Sequence, residues 1–185
     1  PRPITRQQLD TLLATPLRQD TRTKILLASY AGLRIHEIAK LRGQDIDPAG
    51  GTLTVTGKGG RTDLLPAHPI ILDQAAIYSR KGHWFPSPTR PGQHVAAKTV
   101  GTVIARALRR AGIDATAHQL RHFFATSLLE AGVDSRIVQT LMRHASLATT
   151  GRYLGVTLAQ QRQALTGLRI VASATLDTDP TLRAQ

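Results

Sequence analysis

The sequence predicts an α+β domain, predominantly helical, with a small antiparallel β-sheet. Three observations lead there. Apolar residues recur at helical spacing over much of the chain, as in Ile35, Ile38 and Leu41. Thr52 to Thr56 alternates instead, with Leu53 and Val55 set between threonines, which is the period of a strand. The segment GKGG at 57–60 then turns the chain back as a hairpin.

The elements follow in order. Ile4 to Ala14 reads as a helix, with Thr5 as N-cap and Gln8 three residues on. Thr21 to Tyr30 carries Ile25, Leu26, Leu27 and Ala28 together, which suits a buried helix with Tyr30 in the core. Gly32 interrupts it, and Arg34 to Leu41 resumes helical spacing. The hairpin pairs Thr52–Thr56 with Arg61–Leu65 and places Lys58 at its tip. A Pro- and Gly-rich connection runs from Lys81 to Gln93. Helices are expected from Thr99 to Ala111 and from His118 to Ala131, stopped by Gly112 and Gly132. Asp134 caps a short helix to Arg143, Thr149 to Leu154 adds a turn or two, and a polar-faced helix spans about 157–169. One domain is expected over 1–170, with a weakly patterned tail over 171–185.

Composition narrows the function. The 185 residues hold no cysteine, which excludes disulfides, thiolate metal sites and a cysteine nucleophile. Lys plus Arg is 24 against 12 acids, a net charge of +12. Such an excess points to a polyanion, nucleic acid above all. The few acids argue against two-metal nuclease chemistry, which needs clustered carboxylates. No apolar run reaches the length of a membrane span and no basic-plus-apolar leader is seen, so nothing in the sequence suggests secretion.

Three stretches carry a sharper signal: AGLRIHEIAKLRGQDID at 31–47, GTLTVTGKGGRTDLLP at 51–66 and HQLRHFFATSLLEAGVDSRIVQTLMRHASLATTGRYLGV at 118–156. Together they resemble the catalytic domain of the tyrosine recombinases, the phage integrase family, in order from about residue 4 to 170. The resemblance implies that family's catalytic fold and DNA cleavage without metal, nucleotide or other cofactor. It places Arg34, Lys58, His118, Arg121 and His144 in the catalytic set, Tyr153 as nucleophile and Glu37 as a brace for Arg34. It also implies a separate helical DNA-clamping domain upstream, absent from this chain, which begins at Pro1. Its expected partners are double-stranded DNA and other copies of itself, as a tetramer on DNA joined through the C-terminal helix. Two departures stand out. Met142-Arg143-His144 replaces the usual Leu-Gly-His, adding a long cation that either touches DNA or alters that turn. His36 replaces a more usual small residue.

The chemistry fits these residue types. In-line attack on a phosphodiester places negative charge on nonbridging oxygens, and guanidinium forks meet two oxygens with fixed geometry and permanent charge. A tyrosine hydroxyl is a weak nucleophile at neutral pH until neighbouring cations favour the phenolate. A lysine at a Gly-flanked tip is suited to protonate the leaving 5′-oxygen.

Other readings are weighed beside this one. His118 and His122 lie one helical turn apart, but HQLRH is not HExxH and Arg121 between them repels a dication, so no metal is expected. His122 then reads as a packing or hydrogen-bonding neighbour. The glycines at 57–60 do not form a P-loop. Arg42, Arg61, Lys98, Arg136, Arg143 and Arg152 are candidate DNA contacts, with Arg106, Arg109 and Arg110 behind them. His68, His83 and His94 read as surface or loop residues. The alternatives in function are a type IB topoisomerase and a DNA-binding regulator without catalysis.

Overall fold

The computed structural model describes residues 2–57, 60, 62–143 and 156–174. Helices α1 (Arg6–Ala14), α2 (Gln19–Tyr30) and α3 (Ile35–Lys40) come first. Strands β1 (Ile46–Asp47), β2 (Thr52–Thr56) and β3 (Thr62–Pro66) follow, and then α4 (Pro69–Ala75), α5 (Ala97–Arg110), α6 (Ala117–Glu130), α7 (Ser135–Met142) and α8 (Leu158–Thr166). The expected architecture of helices with a small antiparallel sheet is what the chain adopts.

α2 is the central helix. Every residue from Thr21 to Tyr30 is buried, the pattern of a helix enclosed on all sides. It packs against α3, α4, α5 and α6. Arg22, Thr23, Lys24 and Ser29 survive burial because each finds a partner. Arg22 donates to the carbonyls of Leu13, at 2.9 Å, and Ser173. Thr23 Oγ1 donates to Gln74 Oε1 at 2.8 Å. The Lys24 ammonium lies 3.8 Å from the centre of the Phe85 ring. Tyr30 is fully buried, as expected.

Local chemistry sets the ends of the helices. Thr5 and Gln8 form the anticipated capping box, each side chain accepting the other's backbone N–H. The Asp134 carboxylate accepts the Arg136 N–H at 2.7 Å and starts α7. Thr116 caps α6, which begins at Ala117, one residue before the expected start. The expected turn at Thr149 to Leu154 lies outside the described residues.

The sheet runs in the order β1-β2-β3, antiparallel throughout, with Leu53 opposite Leu65 and Ile46 opposite Leu53. Leu53, Val55 and Leu65 face the core. β1 and α4 were not legible in the sequence. β1 is too short for a period, and α4 begins at Pro69, a residue that reads first as a breaker but is well suited to a first helical turn. His68 is corrected from a surface residue to a buried one. Its Nδ1 accepts the Ile70 N–H and its Nε2 bonds the Leu168 carbonyl at 3.0 Å.

One expectation about the C-terminal part changes. Val171, Ser173 and Ala174 are buried, so the packed body continues past residue 170. The Tyr30 hydroxyl accepts the Val171 N–H at 2.9 Å and the Asp10 carboxylate accepts the Ser173 N–H at 2.8 Å. This segment docks by single backbone groups and two apolar side chains, Val171 and Ala174, too few to give a periodic signal. α8 turns Gln161, Ala164 and Leu165 into its own domain, against α7 and β3. Its apolar side is therefore engaged in cis.

Gly32 joins α2 to α3 with φ at +60°, and a Cβ there would stand 2.6 Å from the Phe124 ring. Gly32→Ala is therefore expected to lose about 2–4 kcal/mol of stability, combining left-handed strain with overpacking. Urea unfolding measures it, and an unchanged midpoint would show that the turn tolerates a side chain.

Candidate active site

The site begins with one carboxylate. Glu37 stands at the third position of α3, where an acid satisfies the free N–H at the helix start. Its Oε2 accepts the Arg34 backbone N–H at 2.7 Å, and its Oε1 accepts from Arg34 Nη1 at 3.1 Å. Oε2 also receives Arg143 Nη2 at 2.7 Å. The Glu37 side chain is 1% exposed and that of Arg143 6%, whereas Arg34 remains 33% exposed. Arg34 is thus held through its backbone N–H and its guanidinium while a third of its side chain stays exposed.

Arg121 enters from α6, buried. Its Nη1 donates to the Gly32 carbonyl and its Nη2 to the Met142 carbonyl. One side chain therefore ties the α2–α3 turn to the end of α7. The Gly32 carbonyl also accepts from Arg143 Nη2 at 3.3 Å, and the Arg143 carbonyl accepts from Arg34 Nη2 at 3.2 Å. Three guanidiniums surround one carboxylate, an excess of two positive charges at the spot. That excess suits an anion with several oxygens.

Charge states follow from these contacts. Burial alone would raise the Glu37 pKa. The Arg143 guanidinium, the Arg34 N–H and the Arg34 charge outweigh it and hold the group below its ordinary value of 4.5. Burial, then the like charges of Arg34 and Arg143, pulls Arg121 down. Arginine starts so high that it remains a cation at neutral pH.

His118 lies at the start of α6, exposed, one turn before Arg121. Its Nε2 is 2.7 Å from Nε2 of His122, so one ring donates and the other accepts. The expected hydrogen-bonding role of His122 is what its position provides. Burial, followed by the neighbouring His118, lowers the His122 pKa.

The structure brings Arg34, Glu37 and Arg121 together, with Arg143 between them. Lys58, Arg61, His144, Arg152 and Tyr153 lie outside the described residues. Of the candidate DNA contacts, Arg143 needs correction. Its guanidinium is buried against Glu37 and the Gly32 and Leu141 carbonyls rather than presented to a ligand. Arg143 ends α7 in the left-handed conformation, φ 49° and ψ 47°, the one that glycine commonly takes at a helix end. That conformation costs a non-glycine residue about 1–2 kcal/mol. The sequence signal was present, because an arginine at a helix end that favours glycine needs a compensating contact.

The other cations are exposed and dispersed. Arg42 lines a cleft of about 530 Å³ beside Glu37, together with Lys40, Thr54, Thr56, His83 and His94. His83 and His94 therefore belong to this cleft rather than to featureless loop. Lys98 opens α5, close to where Gly101 approaches Ile35 of α3. Arg109 and Arg110 lie at the far end of that helix, roughly 17 Å beyond Lys98 at helical rise. Arg136 sits at the opposite end of α7 from Arg143.

The model of the phage integrase family matches residues 2–160. The chain belongs to that family. It is 34% identical over 174 residues to tyrosine recombinase XerA of Pyrococcus furiosus, covering 89% of this chain and 61% of that protein. The solved integrase of mycobacterium phage Brujita is similar at 42% identity and a TM-score of 0.83, covering 94% of this chain and 62% of that one. A crystal structure of XerA recombinase gives a TM-score of 0.67 at 25% identity, over 92% of this chain and 66% of that one. The chain spans about three fifths of the length of XerA of Pyrococcus furiosus.

Because Glu37 has a depressed pKa in the fold, its contribution to stability is full above 4.5 and is lost as pH falls through the lower folded value. Glu37→Gln is expected to remove that part of the acid dependence and to cost about 3 kcal/mol at neutral pH, since Arg143 is left buried without its carboxylate. Thermal unfolding from pH 3 to 7 tests both, and parallel curves for the two proteins would contradict the assignment.

Proposed function

We propose that this chain is the catalytic part of a site-specific DNA recombinase, an integrase that cleaves and rejoins strands through Tyr153. The observation that carries the reading is the grouping of Arg34 and Arg121 around Glu37. Membership of the phage integrase family and similarity to a phage integrase and to XerA support it. The net charge of +12 supports double-stranded DNA as the partner.

In this reading Arg34 and Arg121 hold the nonbridging oxygens of the scissile phosphate. Loss of one such preorganised donor typically costs ~10²–10³ in rate. The Tyr153 oxygen attacks phosphorus, a P–O bond to tyrosine forms and the bond to the 5′-oxygen breaks. The tyrosine proton passes to His118, His144 adds a hydrogen-bond donor to the phosphate, and Lys58 protonates the departing 5′-oxygen. The 3′-phosphotyrosyl bond conserves the phosphodiester energy, so a 5′-hydroxyl from a partner strand reverses the step without ATP. No metal or cofactor takes part. Copies assemble as a tetramer on DNA, through the C-terminal helix α8, whose polar side is the one left for a neighbour. The element served is a phage or other mobile DNA in the cytoplasm of a bacterial host.

The test is a covalent trap. Labelled duplexes nicked at varied places are mixed with the protein in EDTA, so that a short 5′-hydroxyl strand diffuses away and the intermediate persists. An SDS-stable adduct on Tyr153, absent from Tyr153→Phe, is expected. Specific binding with no adduct would favour the regulator, and supercoil relaxation without two-site recombination the topoisomerase. Lys58→Ala is expected to slow cleavage strongly on a normal substrate and little when sulfur replaces the leaving oxygen. An equal defect on both would remove Lys58 from the general-acid role.

A further inference from the structure

We infer that Arg143 is a positioning residue of the site, a latch that couples the end of α7 to the Arg34–Glu37 pair. The inference rests on the reading that Arg34 holds a phosphate.

Three observations carry it. First, Arg143 adopts a left-handed backbone, φ 49°, at the close of α7. Glycine fits that conformation without cost, so an arginine there needs a compensating contact. Second, the side chain supplies one by folding inward. Nη1 donates to the Leu141 carbonyl of its own helix at 2.9 Å, and Nη2 to Glu37 Oε2 at 2.7 Å. Third, the backbone of the same residue holds the other member of the pair, since the Arg143 carbonyl accepts from Arg34 Nη2 at 3.2 Å. One residue therefore grips both the carboxylate and the guanidinium that the carboxylate orients.

The consequence lies in where the latch stands. Arg143 immediately precedes His144 and closes the helix that leads toward Tyr153. Its guanidinium reaches α3 across 106 positions of sequence. The arginine that faces solvent is thus oriented only while the end of α7 is seated. Burial works against the charge on Glu37, and Arg143 is the strongest of the neighbours that sustain it.

Arg143→Gly separates the possibilities, because glycine suits the backbone and removes only the side chain. Single-turnover adduct formation on nicked duplex is expected to slow about 10- to 100-fold, the scale that follows when an orienting contact is lost. DNA affinity and its salt slope should stay as in the wild type. Arg143→Lys should recover part of the rate. The Glu37→Gln variant should show little further loss when Arg143→Gly is added, since the two act as one unit. Reduced affinity with a shallower salt slope would instead make Arg143 a DNA contact, and an unchanged rate would make it only a turn former. Either result overturns the latch. A wild-type chain that forms no adduct would remove the recombinase reading instead. The latch is then judged by thermal unfolding of the two single variants and the double variant. Non-additive shifts uphold the coupling of Arg143 to Glu37 and simple addition ends it.

Discussion

The buried carboxylate of Glu37 is the contact on which the site depends. It starts α3 through the Arg34 N–H, orients the Arg34 side chain and neutralises Arg143. A carboxylate this deep is tolerated only with full hydrogen bonding and opposite charge beside it. The geometry supplies both. The same contacts that make its burial tolerable set the direction of the arginine that faces solvent.

Around that centre the molecule accepts an unfavourable arrangement. Three guanidiniums repel one another, and Arg121 is buried besides. The fold offsets this with carbonyls. Gly32 and Met142 accept from Arg121, and Gly32 accepts from Arg143 as well. Gly32 thereby has two duties, a left-handed turn under the Phe124 ring and an acceptor between two cations. What remains uncompensated is positive charge, the condition that a phosphate would relieve.

Much of this was legible before any coordinates. The buried character of α2 followed from a solid apolar block, the first helix cap from Thr5 and Gln8, and the hairpin from alternating threonines around a Gly-rich turn. Arg34, Glu37 and Arg121 were picked out by spacing and resemblance, and they meet. The misses share a cause. α4 hid behind a proline, β1 was too short to show a period, and residues 171–174 dock by isolated backbone bonds and two apolar side chains. None of these is a periodic feature of its own segment.

By itself the sequence determined the local elements and the chemical capital of the site: permanent cations, imidazoles, a hairpin lysine, a tyrosine and one well-placed acid. These depend on neighbours three or four residues away, a range over which a single chain declares its preferences. Tertiary structure alone decided which cation faces outward. Arg34 and Arg143 are the same residue type, yet one is a third exposed and the other sealed against Glu37. Burial and partner choice arise from segments that meet across more than a hundred positions, and the spacing within any one of them does not encode that meeting.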